Sequence, residues 1–348
     1  MTPAIFGIAG TTLSDAERSF FRSSNPAGYI LFARNCENHA QLRALTDDLR
    51  ALHGRDDLLV SIDQEGGRVA RMKPPEWAKY PAGQAFDELF QVAPASAIEA
   101  ARSNAQAMAL ELAEAGITVN YHAPFDVRRP ETDDAIGDRA LGADPMQVAA
   151  LGRAVLEGMA RGGVVGCLKH MPGHGRATAD SHKELPVVSA SAKELETDIA
   201  PFRTLASKAT IGMSAHIVFE AWDAARPATQ SPTVINKIIR EEIGFDGLLL
   251  TDDLDMQALE GSVPERAEVS LAAGCDIALN CWARMDDMEG IAARCPTMGE
   301  ATAARLEKAM ASVARPGEEA ERGQLLATRD ELFAAANVDS GVATGVAA

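Results

Sequence analysis

The segment Val164-Val165-Gly166-Cys167-Leu168-Lys169-His170 decides between the fold classes open to this chain. It is a short apolar run that ends in two basic residues, as expected of a parallel strand buried on both faces. Residues 168–182 hold three of the seven histidines of the chain, with two glycines, a proline and an Asp-x-His pair. We therefore predict a strand that opens into a polar, mobile loop carrying an acid or a base.

Similar short apolar runs recur along the whole chain, separated by longer stretches with helical periodicity. The eight runs are Ala4–Ile8, Gly28–Phe32, Leu58–Asp63, Ile117–His122, Val164–His170, Thr210–Val218, Gly247–Asp252 and Cys275–Asn280. Predicted helices include 97–112, 145–161, 231–243 and 265–273, each with a Gly stop and two with a Ser-Pro or Asp-Pro start. Eight strands alternating with helices predict a (β/α)8 TIM-type barrel rather than a doubly wound sheet, because no Gly-rich dinucleotide fingerprint follows the first run.

The length of 348 residues suits one such barrel. We expect a single catalytic domain over residues 1–336, with one or two terminal helices in 298–336. Residues 66–96 are expected to form an elaborated loop. Residues 337–348 are small and poor in large apolar side chains, which predicts a flexible C-terminal tail.

Composition restricts the partners and the compartment of the protein. The formal net charge of −17 argues against binding to nucleic acid or to an acidic membrane. No apolar run approaches the ~20 residues of a membrane helix, and the N-terminus lacks the basic and long apolar regions of a signal peptide. Five cysteines without a CxxC motif fit a reducing compartment. We expect a cytoplasmic protein; the sequence leaves the oligomeric state open, with a monomer favoured.

Polar and charged residues gather where the predicted strands end. These ends carry Asp63-Gln64-Glu65-Gly66-Gly67-Arg68, His122, Lys169-His170, His216 and Asp252-Asp253. In a barrel of this type the carboxyl ends of the strands build the active site. Burying so many charged groups at one mouth costs several kcal/mol unless they are paired, so folding alone accounts poorly for the set.

Several functions compete for these residues. Three imidazoles and a carboxylate, from His170, His174, Asp180 and His182, could hold zinc. A phosphate-binding loop is disfavoured because the chain has no GxxxxGK[ST] motif. Some of the side chains, such as Asp253, His122 and His216, could merely support strand ends.

Acid–base and nucleophilic catalysis is the function that uses the most residues. A carboxylate at the end of a buried strand, here Asp252, can attack an electrophilic carbon. A loop histidine oriented by a carboxylate two residues away, here His182 with Asp180, can donate and then recover a proton. These parts match retaining glycosyl transfer.

The chain resembles the family 3 glycoside hydrolases and, within them, the cytoplasmic β-N-acetylglucosaminidases of bacterial peptidoglycan recycling. The matching pieces are Asp63-Gln64-Glu65-Gly66-Gly67-Arg68-Val69, Ile136-Gly137-Asp138-Arg139, Lys169-His170-Met171-Pro172-Gly173-His174-Gly175, Asp180-Ser181-His182, Met213-Ser214-Ala215-His216, Gly244-Phe245-Asp246-Gly247 and Thr251-Asp252-Asp253-Leu254-Asp255-Met256. Each glycine-containing piece alone is weak evidence for the family, but the order and spacing of the whole set are specific to it. Met171 stands where the family often has Phe, and Thr251 replaces a common Ser.

The resemblance implies a role for each candidate residue. Asp252 matches the catalytic nucleophile, His182 the mobile-loop acid/base of this subgroup, and Asp180 its partner. The positions that match the sugar-binding residues are Asp63, Arg71, Arg139, Lys169 and His170.

The implied reaction is retaining release of terminal β-linked N-acetylglucosamine from 1,6-anhydro-muropeptides, with no metal or organic cofactor. A phosphorylase remains an alternative, because a histidine leaves less negative charge near the acceptor than a glutamate would. A β-glucosidase also stays open, and so, less readily, does a non-catalytic sugar-binding barrel.

Overall fold

A computed structural model describes residues 1–122, 124–295, 297–313 and 321–342. Its strands, in chain order, are β1 (Thr2–Gly7), β2 (Pro26–Leu31), β3 (Leu59–Ile62), β4 (Val119–Asn120), β5 (Val165–Met171), β6 (Val187–Val188), β7 (Ile211–Ser214), β8 (Val218–Phe219), β9 (Leu248–Asp253) and β10 (Ile277–Asn280). Eight of these described strands close into a parallel barrel in the order β1-β10-β9-β7-β5-β4-β3-β2. The predicted barrel is therefore confirmed, and each of the eight apolar runs overlaps one barrel strand.

Helices cover the outside of the barrel. They are α1 (Asp15–Ser24), α2 (His39–His53), α3 (Gly83–Val92), α4 (Pro94–Glu114), α5 (Pro145–Arg161), α6 (Ala192–Leu205), α7 (Val263–Ala273), α8 (Met285–Arg294), α9 (Glu300–Ala311) and α10 (Arg322–Ala335), with a π-helix at Val234–Glu242. Their ends follow the capping residues in the sequence. The side chain of Asp144 accepts from the N–H groups of Met146 and Gln147 before α5, and Gly54 ends α2 in a left-handed conformation.

The barrel interior is a packed apolar core at its amino-terminal end. Inward-facing side chains such as Ile5, Val119, Ile211 and Leu248 form one cluster, and Leu306, Ala309 and Met310 of α9 join it. The helix α9 therefore covers the end of the barrel opposite the strand carboxyl ends.

Two sequence-based expectations need correction. Residues 66–96 are not one loop, because α3 occupies 83–92 and α4 begins at Pro94. The residue before α3, Ala82, offers no capping side chain, so the usual start signal is missing. The sixth run, Thr210–Val218, is not one strand: its last residue belongs to β8, which pairs in parallel with β6 in a separate two-stranded sheet.

The C-terminal region partly follows the prediction. Two helices, α9 and α10, lie within the predicted terminal helical region 298–336. Of the predicted flexible tail 337–348, residues 343–348 lie outside the described residues. The five cysteines are free thiols. Within the described part of the chain, no helix combines the length and the apolar character needed to cross a membrane.

Candidate active site

The carboxyl ends of the strands surround a cavity of 320 Å³, here called the barrel cavity. Side chains from strand ends and from the long loops after β3, β4 and β5 line it together. All eight residues that the sequence singled out are among them: Asp63, Arg71, Arg139, Lys169, His170, Asp180, His182 and Asp252. Residues separated by nearly 190 positions in sequence therefore meet in one concave site, as catalysis and ligand binding both require.

Asp252 lies near the end of β9, with its carboxylate fixed from below. The backbone N–H of Asp253 donates to Oδ1 of Asp252 over 2.8 Å. Burial raises the pKa of Asp252, but His170, His216 and that N–H outweigh the burial and lower it to about 2. Asp252 is therefore an ionised carboxylate near neutral pH, which is the form a nucleophile needs.

A buried histidine supports this strand end. His216 is fully buried; its Nε2 lies 3.1 Å from the carbonyl oxygen of Asp253, and its Nδ1 lies 2.9 Å from Oγ1 of Thr229. Burial lowers the pKa of His216, and the nearby Asp252 carboxylate and the hydrogen bond to Asp253 partly oppose that shift. His216 therefore fixes the backbone next to Asp252, in agreement with the hypothesis that it is a supporting residue.

The loop after β5 carries a coupled carboxylate–imidazole pair. Oδ1 of Asp180 lies 2.8 Å from Nδ1 of His182 and 3.0 Å from its backbone N–H. Burial raises the pKa of Asp180, but the hydrogen bonds from His182 and Lys183 lower it to about 2. Because an ionised carboxylate holds Nδ1, the Nε2 of His182 is left for exchange of a proton, and the His182 side chain is 65% exposed.

Four residues that line the cavity, Asp63, Arg71, Arg139 and Lys169, belong to one charged network with the buried Glu65. Glu65 accepts two hydrogen bonds from Arg139, at 2.8 and 2.9 Å, and one from Nζ of Lys169 at 2.6 Å. Asp63 makes longer contacts, 3.5 Å from Lys169 and 3.3 Å from Arg71. Burial raises the pKa of Glu65, but Arg139 and Lys169 outweigh it and hold the pKa below its usual range. The long contacts of Asp63 leave its oxygens room to accept from ligand hydroxyls.

A second buried carboxylate orients the histidines of the β5 loop. Asp126 lies 2.8 Å from Nδ1 of His170 and accepts from the backbone N–H of His174 over 2.7 Å. Nε2 of His170 is thus the nitrogen left for the cavity. Burial lowers the pKa of His174 to about 4, so that this ring is neutral. The structure places His174 between Asp126 and Ser181, 3.4 Å from the Ser181 hydroxyl, in a loop-shaping position.

The sequence pattern described as "Glycosyl hydrolase family 3 N terminal domain" matches residues 7–315 of the chain. The chain belongs to glycosyl hydrolase family 3. It is therefore a glycoside hydrolase built on the (β/α)8 barrel of that family.

Named relatives agree with the family 3 assignment. A protein named "Beta-hexosaminidase" from Chromobacterium violaceum is 38% identical over 341 residues, covering 96% of this chain and 92% of the relative. One with the same name from Bordetella avium is 37% identical, covering 80% of each chain. The crystal structure of NagZ from Neisseria gonorrhoeae in complex with N-trifluoroacetyl-D-glucosamine superposes with a TM-score of 0.86 at 31% identity, covering 99% of this chain and 98% of that chain.

The zinc hypothesis finds no preformed site. Among the residues that the structure describes, no group of three or more His, Cys, Asp or Glu side chains is arranged to hold a metal ion. Two of the proposed imidazole ligands are each paired with one carboxylate: His170 contacts Asp126, and His182 contacts Asp180, itself one of the proposed ligands. Each of these two carboxylates lies 2.8 Å from Nδ1 of its imidazole.

Glu65 is the main site residue to which sequence reasoning gave no role, and it yields a first prediction. The Glu65→Gln variant is expected to lower the free energy of unfolding by about 3 kcal/mol, because Arg139 and Lys169 stay buried without their shared counter-charge. Urea denaturation followed by circular dichroism measures this change. The matched control is Glu268→Gln, which breaks an exposed pair with Arg294 and should change stability by less than about 0.5 kcal/mol. Equal effects of the two variants would contradict the role given to Glu65.

Proposed function

We propose that this family 3 hydrolase is a retaining exo-β-N-acetylglucosaminidase. The observation that carries the proposal is that one cavity joins an ionised strand-end carboxylate, Asp252, to an exposed imidazole held by a carboxylate, the Asp180–His182 pair. Retaining glycosidases need a nucleophile on one side of the anomeric carbon and an acid near the leaving oxygen. The relatives named beta-hexosaminidase support N-acetylated hexose as the sugar.

The mechanism assigns two steps to these residues. In the first, a carboxylate oxygen of Asp252 attacks the anomeric carbon while Nε2 of protonated His182 donates to the leaving oxygen, and a covalent glycosyl-enzyme forms. In the second, neutral His182 takes a proton from water as the water oxygen displaces Asp252, so the sugar leaves with its configuration retained. Asp180 accepts from Nδ1 of His182 in both steps and stabilises the imidazolium form whenever it is present.

The network around Glu65 supplies the sugar-binding groups in this proposal. Asp63 accepts from neighbouring hydroxyls, Arg71 and Arg139 donate to them, and Nε2 of His170 forms a further hydrogen bond with the sugar. The three protons of Lys169 face Glu65, the carbonyl oxygen of Tyr121 and Asp63. Its 3.5 Å contact with Asp63 is the longest of these, and is therefore the one that a ligand hydroxyl can replace.

The natural substrate in this proposal is terminal non-reducing β-linked N-acetylglucosamine in 1,6-anhydro-muropeptides derived from peptidoglycan. The likeness to NagZ from Neisseria gonorrhoeae, solved with N-trifluoroacetyl-D-glucosamine, supports the sugar at the non-reducing end. The proposal includes the cytoplasmic location and the monomeric state that we expect from the sequence.

Product analysis tests the proposed activity. The protein is incubated with 4-nitrophenyl N-acetyl-β-glucosaminide in phosphate buffer, and the anomeric proton of the product is followed by NMR. We expect free N-acetylglucosamine, first as the β-anomer, and much slower release from 4-nitrophenyl β-glucoside. Sugar 1-phosphate as the product would instead establish a phosphorylase, and faster release of glucose would establish a β-glucosidase.

Removal of metal ions provides a second prediction. The proposed steps run entirely through Asp252, His182 and Asp180, so dialysis against EDTA is expected to leave kcat for the aryl glycoside unchanged. The same assay before and after chelation measures this. A loss of activity that added Zn²⁺ restores would contradict the mechanism.

A further inference from the structure

A second cavity adjoins the barrel cavity on the side of His182. It has a volume of 430 Å³ and is here called the rim cavity; its defining side chains are Gln257, Arg266, Trp282, Arg284 and Asp287. Three residues, His182, Asp253 and Met256, line both cavities. The two cavities therefore share one wall, and the proposed proton donor, His182, is part of that wall.

An exposed aromatic side chain lines the rim cavity. Trp282 is 57% exposed, which is unusual for the largest apolar side chain. The segment that carries it is fixed by Asp255, whose Oδ2 accepts from the backbone N–H groups of Cys281 and Trp282 at 3.0 and 3.1 Å. The next residue, Ala283, has a φ of 56°, a left-handed conformation that side chains other than glycine rarely adopt. The backbone thus holds Trp282 at the rim in a defined position.

Polar groups next to Trp282 have unused hydrogen-bonding capacity. Nη1 of Arg266 donates to the carbonyl oxygens of Leu254 and Met256, but its buried Nε has no partner in the part of the chain that is described. Burial and Asp255 raise the pKa of Asp253, which also lines the rim cavity, well above its usual range. The guanidinium of Arg284 lies 4.7 Å from the centroid of the Trp282 ring system.

We propose that the rim cavity binds the leaving group as a second pyranose ring packed against Trp282. This inference rests on the proposed function, because it takes His182 as the acid. The acid must contact the glycosidic oxygen, so the part of the substrate beyond that oxygen starts at His182 and continues into the rim cavity. An aromatic surface with nearby donors and acceptors suits a sugar ring, whose C–H groups pack on the indole while its hydroxyls pair with polar groups.

The test compares a leaving group that fills the rim cavity with one that does not. The probes are N,N′-diacetylchitobiose, whose leaving group is a pyranose, and N-acetyl-β-glucosaminyl azide, whose leaving group has three atoms. For Trp282→Ala we expect the ratio of kcat/KM for the disaccharide to kcat/KM for the azide to fall by about tenfold. Trp282→Phe keeps an aromatic surface and should recover most of the ratio.

The control variant is Arg153→Ala, which removes an exposed side chain paired with Glu157 on α5 and should leave the ratio unchanged. Circular dichroism and the melting temperature establish that each variant is folded. A ratio that Trp282→Ala does not change, or one that Trp282→Phe lowers as much, would overturn the assignment of the rim cavity. If the unmodified protein releases N-acetylglucosamine from neither probe, the proposed function fails and the inference fails with it.

Discussion

Replacement of Asp252 by Ala is expected to lower kcat by at least about 10³-fold for every glycoside the protein accepts. The reason is geometric and electrostatic. Asp252 is the carboxylate that His170, His216 and the N–H of Asp253 keep ionised, against the effect of burial, at the floor of the barrel cavity. Without it no covalent intermediate forms, so a better leaving group cannot restore turnover. Initial rates with chitobiose and with 4-nitrophenyl N-acetyl-β-glucosaminide measure both losses.

A matched control variant is available just before the same strand. Asp246 lies just before β9, at the opposite end of the barrel, and is 83% exposed in its pair with Arg305. Asp246→Ala should keep kcat within about twofold of the unmodified protein. Added azide gives a second test of the nucleophile. In Asp252→Ala an azide ion can occupy the space of the missing carboxylate and attack the anomeric carbon, so the product should be the α-glycosyl azide. Unchanged turnover by Asp252→Ala would contradict the assignment of the nucleophile.

Replacement of His182 by Ala is expected to have an effect that depends on the leaving group. A general acid contributes about 10²–10⁴-fold when the leaving oxygen is basic, and little when the leaving group departs without a proton. Chitobiose turnover should therefore fall by about 10³-fold, and that of the 2,4-dinitrophenyl glycoside by less than about tenfold. Because Asp180 orients His182 at 2.8 Å, Asp180→Asn should show the same selectivity with a smaller loss.

Lys183 supplies the control for the loop. It is 80% exposed in the same turn and contacts Oδ2 of Asp180 at 3.1 Å, so Lys183→Ala removes a neighbouring charge without touching the imidazole. We expect it to keep about half or more of the activity on both substrates. An equal loss on chitobiose and on the dinitrophenyl glycoside in His182→Ala would show that His182 shapes the site and does not transfer the proton.

The barrel could be predicted from sequence because its strands are buried on both faces. Such strands appear as short apolar runs, and the helices between them carry their own capping residues, as Asp144 does for α5. The helix α3 escaped prediction because Ala82 gives no capping signal before it. The pairing of β6 with β8 joins two strands about thirty positions apart in sequence. Each strand has two residues, which is too short to show a periodic pattern of apolar residues.

The sequence could predict which residues gather in the candidate site, but it could not predict the contacts between them. Strand-end positions and spacing identify Asp63, Lys169 and Asp252, because the carboxyl ends of parallel strands must converge. The pairing of Glu65 with both Arg139 and Lys169 depends on the exact distances between loops that lie far apart in sequence. The rim cavity likewise depends on how Asp255 holds the segment of Trp282, and no local pattern reports that contact.

The central claim is that Asp252 forms a covalent bond to the sugar, and trapping the intermediate tests it most directly. A 5-fluoro N-acetylglucosaminyl fluoride slows both steps and lets the glycosyl-enzyme accumulate for intact-mass and peptide mass spectrometry. We predict one sugar per chain, attached to the carboxylate of Asp252 and released when an acceptor is added. Inactivation with the label on another residue, or turnover in which no protein-bound sugar accumulates, would contradict the account.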